Sequence, residues 1–268
     1  MSQQAAVAEA LALEPRRRLP FAAKRFARNI MTYYSNPKKY WEERLTHNFG
    51  LGGVGNIGFA ERYNRWLYRR KLRCLQAALR GIRLQGKRVL DVGCGTGFFV
   101  EWYLGKGCQV TGIDITEISV NRLRETSPGE FYTRDITAAD YQNSKEKFDL
   151  VNMWDVIYHI VDKHAYSRAL DNISNDLADG GLLLLTDFLG STSDTRVAPH
   201  VLGRCLKTHA MNLQDRGFKL VEVRPLFKFL AKSNLGRFDN YLGPVYFFLD
   251  NFVNNVPTDS VALSVWRR

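Results

Sequence analysis

The chain is poor in cysteine. It has four, Cys74, Cys94, Cys108 and Cys205, and none form a C-x-x-C pair. That scatter argues against a thiolate zinc site and against a disulfide framework. Long apolar runs are also missing. Runs such as Leu182–Leu185 fall far short of the roughly 20 residues that a membrane-spanning helix needs. The first thirteen residues, MSQQAAVAEALAL, carry Glu9 and no basic start, so they do not read as a signal peptide. Internal repeats and low-complexity tracts are absent. These absences point to a reduced, cytoplasmic protein, and 268 residues suit one catalytic domain with an extension.

Acidic residues are scarce in the first third. Residues 1–90 hold 19 Lys and Arg against 5 Asp and Glu; the remainder holds 19 against 22. The formal net charge of +11 therefore belongs to the N-terminal part. Basic residues interleaved with Phe, Trp and Tyr, as in RYNRWLYRRKLRCLQAALR, suit an anionic membrane surface, nucleic acid or an acidic substrate. A solvated helix face with a loose arm explains them equally well.

Residues 1–20 are punctuated by Pro15 and Pro20 and read as disordered or loosely helical. Two short helices are expected between Phe21 and about Leu45. The segment with five glycines from Gly50 to Gly58 reads as a loop, and an amphipathic helix follows over about Glu61–Leu79. After Gly86 short apolar runs alternate with helical stretches. Strands are expected at Arg88–Val92, Gln109–Ile113, Glu130–Thr133, Phe148–Met153, Gly181–Thr186, Lys219–Pro225 and Val261–Trp266. Helices are expected at Glu117–Glu125, His164–Leu177 and Leu206–Asp215, with a short amphipathic helix between the last two strands. Such alternation implies an α/β fold with a mainly parallel sheet covered on both faces.

The stretch VLDVGCGTGFF places glycines at 93, 95 and 97 directly after the first strand. A dinucleotide fingerprint, G-x-G-x-x-G, would need glycine at 98, which is Phe98. The lysine of a phosphate-binding P-loop is missing too. The turn is therefore shaped for a ligand without a pyrophosphate. Nineteen residues beyond Gly95, Asp114 ends the second strand, where an acid can accept both hydroxyls of a ribose. Asp135 follows the third strand, where it can receive an exocyclic amine while Ile136 packs on a base. The fourth strand ends in NMWDVIYH, on the carboxyl edge where open sheets bind ligands.

The series VLDVGCGTG, GIDIT, RDIT, FDLVNMWDVIYHI and DGGLLLLTDF resembles the class I S-adenosylmethionine-dependent methyltransferases, over roughly residues 84–268. The resemblance implies a Rossmann-like seven-stranded sheet whose last strand, in SVALSVWRR, is antiparallel. Residues 1–83 would then form a basic helical extension or lid. It also implies S-adenosylmethionine as cofactor and S-adenosylhomocysteine as product. Asp91 would orient the glycine loop or meet the methionine amino group. Gly93, Gly95 and Gly97 would let the methionyl part and ribose approach, with Cys94, Thr96 and Ile115 beside them. Asp114 would hold the ribose, and Asp135 and Ile136 the adenine. Met153 and Trp154 would offer a backbone carbonyl and a wall near the sulfonium.

His159 is the best candidate for a base, with Tyr158 its neighbour; the alternative role is to shape the pocket. Tyr40 and Trp41 are candidate acceptor contacts in a closing lid, and His200 is one in the connection after the fifth strand. The aromatics Phe227, Phe229, Tyr241, Tyr246, Phe247 and Phe248 are expected around the acceptor mouth. No metal is expected, because Asp171-Asn172 falls inside a helix and not at the end of the fifth strand. The (D/N)PP(Y/F) element of DNA amino-methyltransferases is missing, which argues against nucleic acid and for a small-molecule acceptor. O- or N-methylation of a natural product, glycan or lipid-linked substrate is the expected reaction. The competing class is a binding protein of this fold that docks on anionic membrane or nucleic acid through its basic N-terminus. The oligomeric state is not legible.

Overall fold

A computed structural model describes residues 36–268, apart from Ile57, Asn143, 231–238, Asn254 and 258–259. The expectations for residues 1–20, and for the first of the two helices between Phe21 and Leu45, lie outside the described residues. Residues Trp41–Arg268 form one compact unit.

Helix α1 (Pro37–His47) leads into a one-turn helix α2 (Leu51–Val54) and the long α3 (Glu61–Ala78). The sheet then begins with β1 (Arg88–Val92), α4 (Phe98–Leu104), β2 (Gln109–Asp114), α5 (Glu117–Thr126), β3 (Glu130–Thr133) and β4 (Phe148–Met153). A 3₁₀ turn (Ile157–His159), α6 (Lys163–Asp176) and β5 (Leu177–Asp187) follow. A two-stranded ribbon, β6 (Thr195–Ala198) with β7 (Val201–Gly203), precedes α7 (Leu206–Gln214) and β8 (Lys219–Pro225). Helix α8 (Asp239–Asp250) and β9 (Ala262–Arg267) complete the described chain.

The seven strands of the main sheet run in the order β3-β2-β1-β4-β5-β9-β8. β1 to β5 pair in parallel, and β9 is antiparallel to both β5 and β8. The chain goes outward from β1 to β3, then returns to lay β4 on the other side of β1. The crevice at the carboxyl ends of β1 and β4 is thus the switch point where open α/β sheets bind ligands. β1, β4 and β5 are apolar on both faces because both are covered. Val89, Leu150, Leu184 and Leu263 pack with Tyr63 and Leu75 of α3. Leu90, Val151, Leu183 and Leu185 pack with Tyr166, Leu170 and Ile173 of α6.

The structure corrects two sequence expectations. The fifth strand starts at Leu177, not Gly181, because Arg268 donates to the carbonyls of Ser174 and Leu177 and pulls that end into the sheet. The Gly50–Gly58 segment is not simply a loop, since it holds α2. There Gly52 N–H donates to Glu61 Oε2 at 2.6 Å, Arg44 donates to Gly55 O at 2.5 Å, and Asn64 donates to the Asn56 and Phe59 carbonyls. A side chain at Gly53 would sit 1.9 Å from Asn48 O, and one at Gly55 2.3 Å from Asn64 Oδ1. These glycines serve close backbone approach; their φ angles are not left-handed.

Candidate active site

The glycine turn is stitched to the neighbouring strand end. Gly93 N–H and Cys94 N–H both donate to Ile113 O, at 2.8 and 3.1 Å. Gly93, Gly95 and Gly97 have φ of +73, +51 and +83, a region that favours glycine. A Cβ at Gly93 would lie 2.4 Å from Val156, and one at Gly97 2.5 Å from Leu123. The bare backbone is thus demanded first by conformation and by the protein's own neighbours. Val54 of α2 stands over Gly95, 3.1 Å from where its Cβ would be. Cys94 is buried, and burial with the nearby Asp114 and Asp91 pushes its thiol well above the usual range. Thr96 is half-buried in the turn.

The two strand-end acids share a device. Asp114 Oδ1 accepts from Thr116 N–H at 2.9 Å and its hydroxyl at 2.7 Å, and Asp135 Oδ1 accepts from Thr137 in the same way, both at 2.8 Å. Each D-I-T tripeptide thus locks one carboxylate oxygen and fixes where the other points. In Asp114 that other oxygen, Oδ2, accepts Gly95 N–H at 2.9 Å, which joins β2 to the glycine turn. Asp114 is buried, and burial raises its pKa against the lowering effect of these hydrogen bonds. Asp135 is exposed. Ile115 is half-buried, and Ile136 is a buried member of the core. Asn172 of α6 donates to Ile136 O at 2.8 Å, while Asp171 pairs with Arg216. Both residues of that pair therefore have structural work.

Asp91 is the last residue but one of β1 and lies inside the protein, 2% exposed. Asn152 Nδ2 donates to it at 2.6 Å, and Asn152 Oδ1 accepts from Tyr103 and from the Trp154 indole. Asp91 has no ion-pair partner among the described residues, and burial raises its pKa to about 7. The Asn152 side chain could not be foreseen, since it sits within an apolar run. Trp154 lies stacked on Phe99, with ring centroids 4.8 Å apart, and the Met153 side chain is fully buried in the core. Both side chains belong to the core.

Beyond β4 the chain turns through Asp155, whose φ of +58 is left-handed. Asp155 N–H donates to Thr186 Oγ1 at 2.8 Å, and its carboxylate pairs with Lys71 of α3. The 3₁₀ turn then presents Tyr158 and His159. His159 Nδ1 lies 3.4 Å from His200 O, and its ring stacks on His200 at 5.8 Å and meets the Trp41 edge at 5.4 Å. Nδ1–H directed at that carbonyl places the lone pair on Nε2. Burial, then the neighbouring His200, lowers the His159 pKa to about 4, so its imidazole is neutral at physiological pH. Tyr158 packs against Phe188, and burial and Asp155 raise its phenol well above the usual range. Arg204 donates to the carbonyls of Ile157 and Ile160 and braces the turn from below.

Trp41, Tyr158, His159 and His200 thus come together; Tyr40 is a buried residue of α1. Glu42, which no motif marks, accepts from the Glu117 and Ile118 N–H groups at the start of α5. Of the aromatics expected around the acceptor mouth, Phe227 is buried and Tyr246 packs at the edge of the core. Phe247 packs on Trp66 of α3, and Tyr241 and Phe248 are exposed on α8. Among the described residues no cluster of three His, Cys, Asp or Glu could hold a metal. Nor is any described helix long and apolar enough to cross a membrane.

A family model described as a methyltransferase domain matches residues 62–223, more than half of the chain. The chain belongs to that family. A ubiquinone biosynthesis O-methyltransferase of Stutzerimonas stutzeri strain A1501 is 41% identical over 33% of this chain and 40% of that protein. One from Pseudomonas putida strain W619 is 38% identical over 60% of this chain and 66% of its own length. The match spans less than two thirds of either relative. Among solved structures, the N-methyltransferase NodS of Bradyrhizobium japonicum WM9, in complex with S-adenosylhomocysteine, superposes with a TM-score of 0.59. It covers 87% of this chain and 98% of its own at 20% identity, a likeness of fold.

Proposed function

We propose that this protein is an S-adenosylmethionine-dependent methyltransferase acting on a small-molecule acceptor. The observation that carries the proposal is Asp91. A fully enclosed carboxyl with only an amide as hydrogen-bond partner among the described residues, beside a left-handed glycine turn, fits the ammonium end of an amino-acid ligand. Asp114, held by the D-I-T lock, retains acceptor capacity toward vicinal hydroxyls, and Asp135 and Ile136 stand at the next strand end for a purine. The donor, when bound, supplies a methyl group on a sulfonium. The chain's residues align the acceptor with it and keep water away.

His159 is the proton acceptor in this reading, set among Trp41, Tyr158 and His200. Its neutral imidazole takes a proton as the acceptor oxygen or nitrogen gains the methyl and turns acidic. The relatives named as O-methyltransferases favour a hydroxyl, and the ring-lined wall favours a flat acceptor. In this reading residues 1–83 are the extension, its part from Trp41 onward acting as a lid, and 84–268 the methyltransferase domain. Trp41 against His159, Glu42 on α5 and Val54 over Gly95 support the lid. The reading includes a cytoplasmic location and a weak contact of the basic residues before Asn36 with anionic membrane, without nucleic acid.

The test is calorimetry with S-adenosylmethionine, then an acceptor screen that reads demethylated donor and the methylated product by mass spectrometry. Saturable heat and a product heavier by one methylene are expected. No heat at saturating donor would overturn the proposal.

A further inference from the structure

Helix α8 is apolar on two opposite sides. Its inner side packs on α3: Phe247 meets Trp66 at 5.4 Å, and a Cβ at Gly243 would lie 2.4 Å from the Trp66 ring. Its outer side carries Tyr241, Val245, Phe248 and Leu249, continued by Phe252 just past the helix, all between 39% and 70% exposed. Their spacing of four, three, one and three places them on one helical face. An apolar stripe of this length left in water marks an interaction surface.

The helix beneath it supplies the charge. α3 exposes Arg62, Arg65, Arg69 and Arg73 at intervals of three and four residues, and Arg80 follows beyond its end. The Arg62 guanidinium lies 6.0 Å over the Tyr241 ring, where the two stripes adjoin, and that of Arg73 lies 5.9 Å over Phe247 of the inner side. Between α3, β8 and α8 runs an open groove lined by Arg69, Arg73, Arg80 and Arg224, the last paired with Glu222.

We propose that this face docks the enzyme on an anionic lipid bilayer, with the α8 stripe in the interfacial layer and the α3 arginines on lipid phosphates. It is distinct from the basic residues before Asn36 and does not depend on the donor reading. A bilayer interface takes both halves of the surface at once. Nucleic acid would satisfy the arginines but leave Val245 and Leu249 in water. A second copy meeting the same face could cover the α8 stripe but would offer the exposed α3 arginines no acidic stripe to meet.

The test is co-sedimentation of the full chain with vesicles of phosphatidylcholine, with and without phosphatidylglycerol. Binding is expected only with phosphatidylglycerol, weakening as salt rises. The pair Phe248→Ser and Phe252→Ser, and separately the pair Arg69→Glu and Arg73→Glu, should each lower it by about tenfold or more. All four residues are exposed, so thermal unfolding and donor binding should stay unchanged and serve as controls. Both variants binding like the parent would overturn the proposal, as would no binding by the parent. So would a concentration-dependent dimer abolished by the Phe248→Ser pair, or RNA binding sensitive to the arginines alone.

Discussion

Lys71 and Asp155, 84 residues apart in the chain, form an ion pair that fastens α3 to the turn after β4. The Lys71 side chain is 6% exposed and that of Asp155 21%. Burial pulls the ammonium pKa down, but the Asp155 charge, the neighbouring Tyr68 and the hydrogen bond to Asp155 together more than offset it, so Lys71 keeps its charge. Asp155 is also the residue held at φ +58. Lys71→Met leaves a strained, half-enclosed carboxylate without its cation. The expected loss is about 2 kcal/mol in denaturant unfolding, less than the roughly 3–5 kcal/mol of fully buried pairs, because Asp155 still reaches water. Adding Asp155→Asn should restore part of it, since the stranded charge is gone. If Lys71→Met unfolds like the parent, the pair contributes nothing.

Asp91 predicts a proton linked to donor binding. Its folded pKa of about 7, against 3.8 ordinarily, means that the folded protein holds a proton between those values that the unfolded chain has lost. This group therefore lowers stability as pH rises through that window. A bound ammonium favours the carboxylate, so binding below pH 7 should expel the proton. Calorimetry of S-adenosylmethionine binding at pH 6, in buffers of differing ionisation enthalpy, should show proton release that vanishes at pH 8. Affinity should rise with pH between these points. Asp91→Asn should bind more weakly and show neither effect; a variant that keeps both would remove Asp91 from the donor.

His159 has the opposite sign. Its folded pKa of about 4 lies below the ordinary 6.5, so between these values the unfolded chain binds a proton that the folded protein refuses. Stability from this group rises with pH across that window. The acid limb of kcat for methyl transfer should accordingly fall near pH 4 and not near 6.5. His159→Ala should cost about 10²-fold or more in kcat if the imidazole takes the proton. A change confined to the acceptor KM would make His159 a wall of the pocket.

The parts legible in the sequence are those whose physics is local. Gly93, Gly95 and Gly97 are named by left-handed φ, and Asp91, Asp114 and Asp135 by their place at strand ends, each within a few residues of its motif. Partners supplied by folding leave no such mark. Lys71 looks like one more arginine-helix cation, Asn152 is hidden in FDLVNM, and Val54 is one residue of a glycine-rich tract. The α2 turn is hidden in its glycine-rich tract for the same reason: Gly53 and Gly55 are selected by the Asn48 carbonyl and the Asn64 side chain, which only the tertiary structure brings near. Composition likewise does not say that α8 lays Phe247 on Trp66 of α3 and leaves Tyr241 and Phe248 exposed.

Arg204 and His209 brace the His159 turn from the far side, and this support should be separable from chemistry. His209 and Asp187 are both fully buried, with Nε2 2.8 Å from Asp187 Oδ2 and Nδ1 3.0 Å from the Tyr166 hydroxyl. The other Asp187 oxygen accepts from the backbone of Phe188 and Arg204, and the Arg204 side chain reaches the Ile157 and Ile160 carbonyls. His209→Leu keeps volume but strands Asp187, and should cost about 3 kcal/mol or more in unfolding. Arg204→Met removes only the far end of the chain, so two turn carbonyls lose their donor while the sheet keeps its anchor. Its donor affinity should match the parent, because Asp91, Asp114 and the glycine turn are untouched. Its kcat should fall by about tenfold as His159 loses its fixed position. A parent-like kcat in Arg204→Met, or an equal loss of donor affinity, would show that the turn is held by other contacts.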